Sequence, residues 1–271
     1  MDGSEERPSE PTLVGTSLEG RVWRVTLQRP GGNAIDVALA EQLGAAFDRR
    51  PAAARAILLD AEGPHFCVGG DVRGFAASED PGAFVGRLAE EWHRVIRAVV
   101  HSQVPVVAAV RGAVAGAGMG LVAACDLSVC AASTRLHPAY LSLGLSPDGG
   151  TSWALVRALG RARAVDVMLT NGSLTAGEAL SAGLVSRVTD DDQVARLAEE
   201  LAHQLARGPI RAMARTRHLA RDAAVLDLDQ HLDAEARLIA ESADDVEGRE
   251  GVRAFVERRP ADFLGGSSAP H

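Results

Sequence analysis

Two short glycine-rich segments carry the residue types best suited to chemistry in this 271-residue chain. The first is Phe66-Cys-Val-Gly-Gly-Asp71. The second is Gly116-Ala-Gly118, inside the small-residue run Gly112–Asp126. Each is expected to follow a strand directly and to leave backbone N–H groups without partners at the turn. One such turn is an ordinary tight connection. Two suggest paired donors for the oxygen of an enolate or tetrahedral intermediate, where losing one donor costs about 3 kcal/mol of transition-state stabilisation. Tight packing of helix on strand accounts for the same glycines, and composition alone leaves both readings standing. Neither segment is a phosphate loop. No Gly-Lys-Ser/Thr ending follows, and Gly116, Gly118 and Gly120 lack the spacing of a dinucleotide fingerprint.

The other candidate groups read more plainly. Asp71 suits the N-cap of a following helix. Asp148, in Ser146-Pro-Asp-Gly-Gly150, is by its neighbours a turn aspartate. His65 precedes the first turn and faces either a ligand or solvent. His137 is followed by Pro138, and Tyr140, the single tyrosine, suits the core or a pocket wall. Cys67, Cys125 and Cys130 are odd in number, sit among apolar residues and have no neighbouring base. They read as reduced core thiols of a cytoplasmic protein. No metal-ligand spacing occurs.

Composition narrows the function classes. The net charge is −8 with both signs mixed along the chain, which argues against a basic nucleic-acid face. No apolar run approaches the roughly 18 residues of a membrane span. Residues 1–11 lack the order of a signal peptide and, with 265–271, are expected to be disordered tails.

These candidates need a scaffold. Val22–Leu27 alternates as a strand, Asp36 caps a helix carrying Val37, Leu39, Leu43 and Phe47, and residues 54–60 form a buried strand. A helix follows over 84–100, then strands at 104–110 and 128–132. Alternating strands and helices predict an α/β fold with a parallel sheet and right-handed crossovers. After Thr151 the pattern is helical, at 153–159, 163–169, 191–207, 209–221, 227–243 and 246–257. Thr175-Ala-Gly-Glu178 is a capping box. The expected organisation is a core over 12–190 and a helical region over 191–264.

Taken together, these motifs resemble the crotonase (enoyl-CoA hydratase/isomerase) family over roughly residues 13–264. The matching pieces are Arg29-Pro-x-x-Asn33-Ala34, Phe66–Asp71, Pro105–Asp126, Leu143–Thr151, Gly160–Ala164, Ala179–Val185 and Glu250–Arg259. The resemblance implies a spiral of ββα units and a helical C-terminal part that mediates trimerisation. It implies a homotrimer, or a hexamer as a dimer of trimers, acting on an acyl-CoA thioester with no bound cofactor. The family's oxyanion donors fall on the N–H groups of Gly70 and Ala117.

Departures from the family pattern bear on the reaction. Hydratases of this family carry two glutamates, and the matching positions here are Gly120 and Ala139. Neither residue can serve as acid or base. The family places a catalytic carboxylate at the position of Asp148 in several isomerases, and the segment is most similar to the ring-1,2-epoxyphenylacetyl-CoA isomerase subgroup. The resemblance therefore implies that Asp148 shuttles one proton on an enolate held by Gly70 and Ala117. Phe75, Met119, Leu143 and Trp153 are expected to line its pocket and keep it poorly solvated. His137 is the nearest titratable group to the missing acid at 139. For the CoA moiety the implied contacts are Ala34, Val68, Asp71, Val72, Arg73 and Gly120, with Arg29 and a neighbouring subunit's Arg258 or Arg259 toward the phosphates. Alternatives are a hydratase or hydrolase using Asp148 and water, and an acyl-CoA binding protein without turnover.

Overall fold

A period of two runs through the central strands and sorts their side chains onto two separate cores. In the strand Ala56–Ala61, Ile57 and Leu59 enter one cluster while Ala56 and Leu58 enter the other. In Val106–Val110, Val106, Ala108 and Val110 take the first side, and Val107 and Ala109 the second. Both faces are apolar because both are covered by helices, as parallel sheets require.

The computed structural model describes residues 11–264. Its elements in chain order are β1 (Val14–Glu19), β2 (Val22–Leu27), α1 (Val37–Asp48), β3 (Ala56–Ala61), α2 (Val72–Ala76), α3 (Pro81–Val100), β4 (Val106–Val110), β5 (Ala113–Ala115) and α4 (Ala117–Ala124). There follow β6 (Leu127–Ala131), β7 (Arg135–His137), α5 (Thr151–Leu169), β8 (Leu174–Thr175), α6 (Ala176–Ser181) and β9 (Arg187–Thr189). The chain then runs through α7 (Val194–Ala206), α8 (Ile210–Asp222), α9 (Leu228–Asp244) and α10 (Val246–Glu257). The main sheet has the order β1-β2-β3-β4-β6-β9 and is parallel from β2 onward, with β1 antiparallel at its edge. A second sheet has the order β5-β7-β8, with β5 and β7 parallel and β8 antiparallel to β7.

The expected α/β arrangement with C-terminal helices is present, with instructive differences. β1 lies in a segment the hydrophobic pattern left unassigned, because its middle residues are exposed. The helices expected at 153–159 and 163–169 form one element, α5, kinked where Gly160 adopts φ 73°, ψ 157°. The Thr175–Glu178 capping box forms as expected. α7, placed by pattern in the helical remainder, covers the second face of the main sheet through Val194, Ala198, Leu201, Ala202 and Ala206. The tails expected at 1–11 and 265–271 fall, Pro11 apart, outside the described residues.

Candidate active site

The first glycine turn is not preceded by a strand. The chain from Phe66 to Gly70 meets its neighbours through two isolated parallel bridges, Cys67 to Val114 and Ile35 to Gly70. Ala115 N donates to Cys67 O at 2.8 Å, and Ile35 N to Gly69 O at 2.7 Å. Buried Asn33 locks the segment before Ile35 in place. Its Nδ2 donates to the carbonyls of Glu62 and His65, and its Oδ1 accepts from Arg29 N. His65 is half-buried and structural, since its Nδ1 accepts from Ala113 N at 3.2 Å.

These bridges lay the two glycine turns against each other. A Cβ on Gly116, at φ 51°, would stand 3.5 Å from Gly69 Cα; one on Gly69, at φ 89°, would crowd Ala115 O at 3.2 Å. Only glycines allow this approach in this backbone conformation. Gly70 and Ala117 consequently line one cavity of about 320 Å³. Ala117 is the first residue of α4, where a helical N–H has no intrahelical partner. Among the described residues, neither the Gly70 nor the Ala117 N–H donates to a protein acceptor. Trp92 Nε1 donates to Ala117 O at 3.3 Å and steadies that end of the helix from α3.

Asp148 lines the same cavity. The turn Gly149-Gly150, with φ 59° and 80°, reverses the chain into α5. Gly149 packs on Ala117 Cβ and Trp92, and its N–H donates to His93 Nε2 at 3.2 Å. Tyr140 OH donates to Asp148 Oδ1 at 2.8 Å and lies 3.2 Å from Thr151 Oγ1. Thr151 Oγ1 in turn donates to Gly116 O at 3.1 Å. Burial, with the nearby Asp148 carboxylate, pushes the Tyr140 hydroxyl well above the ordinary phenol range, so it stays a donor.

Asp71 is a second carboxylate in the wall, but it is engaged. Its Oδ1 accepts from the N–H groups of Arg73 and Gly74 as the N-cap of α2, and Arg29 Nη2 contacts its Oδ2 at 2.7 Å. Burial alone would raise its pKa; the Gly74, Arg29 and Arg73 contacts outweigh that and hold the carboxyl below its ordinary range. The remaining wall is apolar, with Phe75, Phe84, Leu88, Leu143 and Leu145. Ala139, at φ 62°, contributes to the wall. Burial pushes the Cys67 and Cys130 thiols up to about 12, which keeps both protonated.

The cavity brings together many of the sequence-predicted positions: Gly70, Ala117, Asp148, Val68, Asp71, Val72, Phe75 and Leu143. Others stand elsewhere. Met119 is buried in the core on α4, two residues beyond Ala117. Trp153 points outward from α5, 58% exposed, with Arg157 stacked on its ring at 4.0 Å. Ala34 is half-buried beside the wall, which takes Ile35 instead. Gly120 is buried, and any Cβ there would run into Gly149 O. Arg29 is held by Asp36 and Asp71, and Arg259 by Glu250 and Glu257. Arg73 is exposed and makes no ion pair among the described residues. His137 turns its Nδ1 to Gly172 O at 3.2 Å and does not line the cavity. Arg258 ends α10 in a left-handed conformation.

His93 and Thr151 belong to the site's framework although the sequence singled out neither, and Tyr140 was expected as core or pocket wall. No spacing links position 93 to 149 or 140 to 151; the sole cue for His93 is that it follows the buried-face residue Trp92.

The chain matches the family model described as enoyl-CoA hydratase/isomerase over residues 17–266. A probable enoyl-CoA hydratase of Rhodobacter capsulatus is 37% identical over 242 residues, covering 89% of this chain and 93% of that protein. The 1,2-epoxyphenylacetyl-CoA isomerase of Escherichia coli is 33% identical over 261 residues, covering 93% and 98%. The crystal structure of an enoyl-CoA hydratase from Polaromonas sp. JS666 superposes with a TM-score of 0.88 at 30% identity, covering 92% of this chain and 98% of that one.

Proposed function

This chain belongs to the enoyl-CoA hydratase/isomerase family, and within it we propose that it is an acyl-CoA isomerase working through a thioester enolate. The observation that carries this reading is the content of the cavity. Two free N–H groups, on Gly70 and Ala117, share the cavity with one carboxylate, Asp148, that has no cationic partner among the described residues. The thioester carbonyl accepts from the two N–H groups. Asp148 takes a proton from the acyl chain, and the electron pair moves onto the thioester oxygen. The donors hold that charge beside an apolar wall, and such stabilisation is strongest where water is excluded. Asp148 then returns the proton at another carbon and the double bond has moved.

Hydration needs a second group to activate water. Among the described residues the candidates for that group are engaged or turned away, which supports the isomerase reading: Asp71 is capped and ion-paired, His137 faces Gly172, and position 139 carries a methyl group. The substrate arrives as a coenzyme A thioester and no resident cofactor takes part. Arg73, exposed and without an ion pair among the described residues, supplies a cation for the CoA phosphates. Apolar residues exposed along α9 and α10, among them Leu232, Ile239, Val252 and Phe255, support assembly into trimers or hexamers.

The test is turnover of crotonyl-CoA, a 3-enoyl-CoA and epoxyphenylacetyl-CoA by the purified protein and by Asp148→Asn, with products weighed and their double bonds located. Double-bond migration or ring rearrangement at constant mass, lost in Asp148→Asn while CoA-thioester binding persists, supports the isomerase. Gain of one water by crotonyl-CoA identifies a hydratase instead. Binding with no conversion of any of the three identifies a non-catalytic binder.

A further inference from the structure

One chain of hydroxyl groups joins the two halves of the site. Tyr140 OH contacts Asp148 Oδ1 at 2.8 Å and Thr151 Oγ1 at 3.2 Å, and Thr151 Oγ1 donates to Gly116 O at 3.1 Å. Gly116 is the residue directly before the Ala117 donor. The base and one of the two oxyanion donors are therefore held to a common pair of buried hydroxyls. Tyr140 also contacts the Asp148 backbone carbonyl at 3.1 Å, so it positions the whole residue and not the carboxyl alone. Among the described residues Asp148 Oδ2 accepts no protein hydrogen bond. The two oxygens are thus unequal: Oδ1 is occupied by Tyr140, and Oδ2 is left for the substrate.

We propose that Tyr140 is a positioning residue that, through Thr151 and Gly116, sets the free oxygen of Asp148 against the Gly70 and Ala117 donors and so selects which acyl carbons exchange protons. This rests on the reading of Asp148 as the proton shuttle. In the step concerned, a C–H bond breaks, its electron pair passes to the thioester enolate, and the proton bonds to Oδ2. The Oδ2–H bond then breaks and a C–H bond forms two carbons away. Both carbons must come within hydrogen-bonding distance of one oxygen while the thioester oxygen stays in its hole, which leaves little tolerance for rotation of the carboxyl group. Without the Tyr140 hydroxyl, Asp148 is free to rotate, and either oxygen meets the acyl chain.

The experiment is steady-state turnover of a 3-enoyl-CoA in deuterated water by the full chain and by Tyr140→Phe, Thr151→Val and Thr151→Ser, with deuterium located in the product. Tyr140→Phe removes a single oxygen from a buried ring. It is expected to lower kcat by about ten- to a hundred-fold, the range for losing one hydrogen bond to a charged group, with KM within about two-fold. Deuterium then spreads to carbons left unlabelled by the unmodified protein. Thr151→Val follows in the same direction, and Thr151→Ser, which keeps the hydroxyl, restores turnover and labelling. Unchanged kcat and labelling in Tyr140→Phe overturn the proposal, as does equal loss in Thr151→Ser and Thr151→Val. If Asp148→Asn turns over like the unmodified protein, the isomerase base has been misassigned. If Asp148→Asn is inactive while Tyr140→Phe is unaffected, only the role of Tyr140 falls.

Discussion

The backbone carbonyl of Gly149 occupies the space that a side chain on Gly120 would need. The position that the resemblance matches to a hydratase glutamate is therefore filled by the turn that delivers Asp148. Absence of the glutamate and presence of the aspartate turn are two aspects of one packing arrangement.

Gly120→Glu is accordingly expected to yield no hydratase. Its Cβ meets backbone, which moves only with the 148–150 turn and the start of α5. Both stability and isomerase turnover are expected to fall, with destabilisation on the order of 3 kcal/mol or more. Chemical denaturation together with a crotonyl-CoA hydration assay checks this; a folded variant that hydrates crotonyl-CoA would sink it.

The single tyrosine gives a direct optical probe of the site. Burial, then the Asp148 charge, raises the Tyr140 pKa above its ordinary value near 10. The folded state therefore holds this proton more tightly than the unfolded state. Its contribution to stability is complete below about pH 10 and is lost as pH rises through the folded value. Tyrosinate absorbance is expected to stay absent in the native protein at pH 10.5 to 11, by extension of that reference value, and to appear with alkaline unfolding. Reversible ionisation near pH 10 with the fold intact would contradict the buried hydrogen-bonded phenol.

Asp71 gives the opposite sign at low pH. Its folded pKa is depressed despite burial, so its contribution is present above about pH 4 and disappears as pH falls through the folded value. Asp71→Ala is expected to cost about 1 kcal/mol at pH 7 through loss of the α2 cap. Denaturation curves at pH 7 and pH 3 should show that difference shrinking; a constant difference would mean that packing, not charge, is what the residue supplies.

Gly112→Ala tests how the first turn is held. Gly112 has φ +65°, and a Cβ there would collide with the Pro64 carbonyl and press on His65 Nδ1. That nitrogen anchors Ala113 N. A loss of roughly 2–4 kcal/mol is expected from strain and displacement combined. Thermal unfolding measures it, and a variant as stable as the parent would show that the 64–66 segment yields freely.

The two glycine turns could be read from residue types because each needs a local property: glycine at positive φ, small side chains, and a helix beginning at Ala117. The capping box at Thr175–Glu178 and the Asp36 and Asp71 caps were readable for the same reason. Trp153 was not. It lies two residues beyond Thr151 on α5, and the rotation of that helix turns Thr151 inward and Trp153 to the surface. Likewise, the resemblance turns Arg29 toward the CoA phosphates, whereas the fold pairs it with Asp36 and with Asp71, which stands 42 positions away.

The chain's own order of residues determined that two glycine turns and an aspartate turn at Asp148 are present, because these follow from residue identity and short-range backbone preference; the matching of Gly120 and Ala139 to hydratase glutamates came from the family resemblance. Tertiary structure alone decided that Gly70, Ala117 and Asp148 share a cavity, that Tyr140 and Thr151 join them, and that Met119, His137 and Trp153 do not enter it. Those outcomes depend on strand register and helix rotation, where one residue of slip or a fraction of a turn exchanges the inside of a wall for its outside.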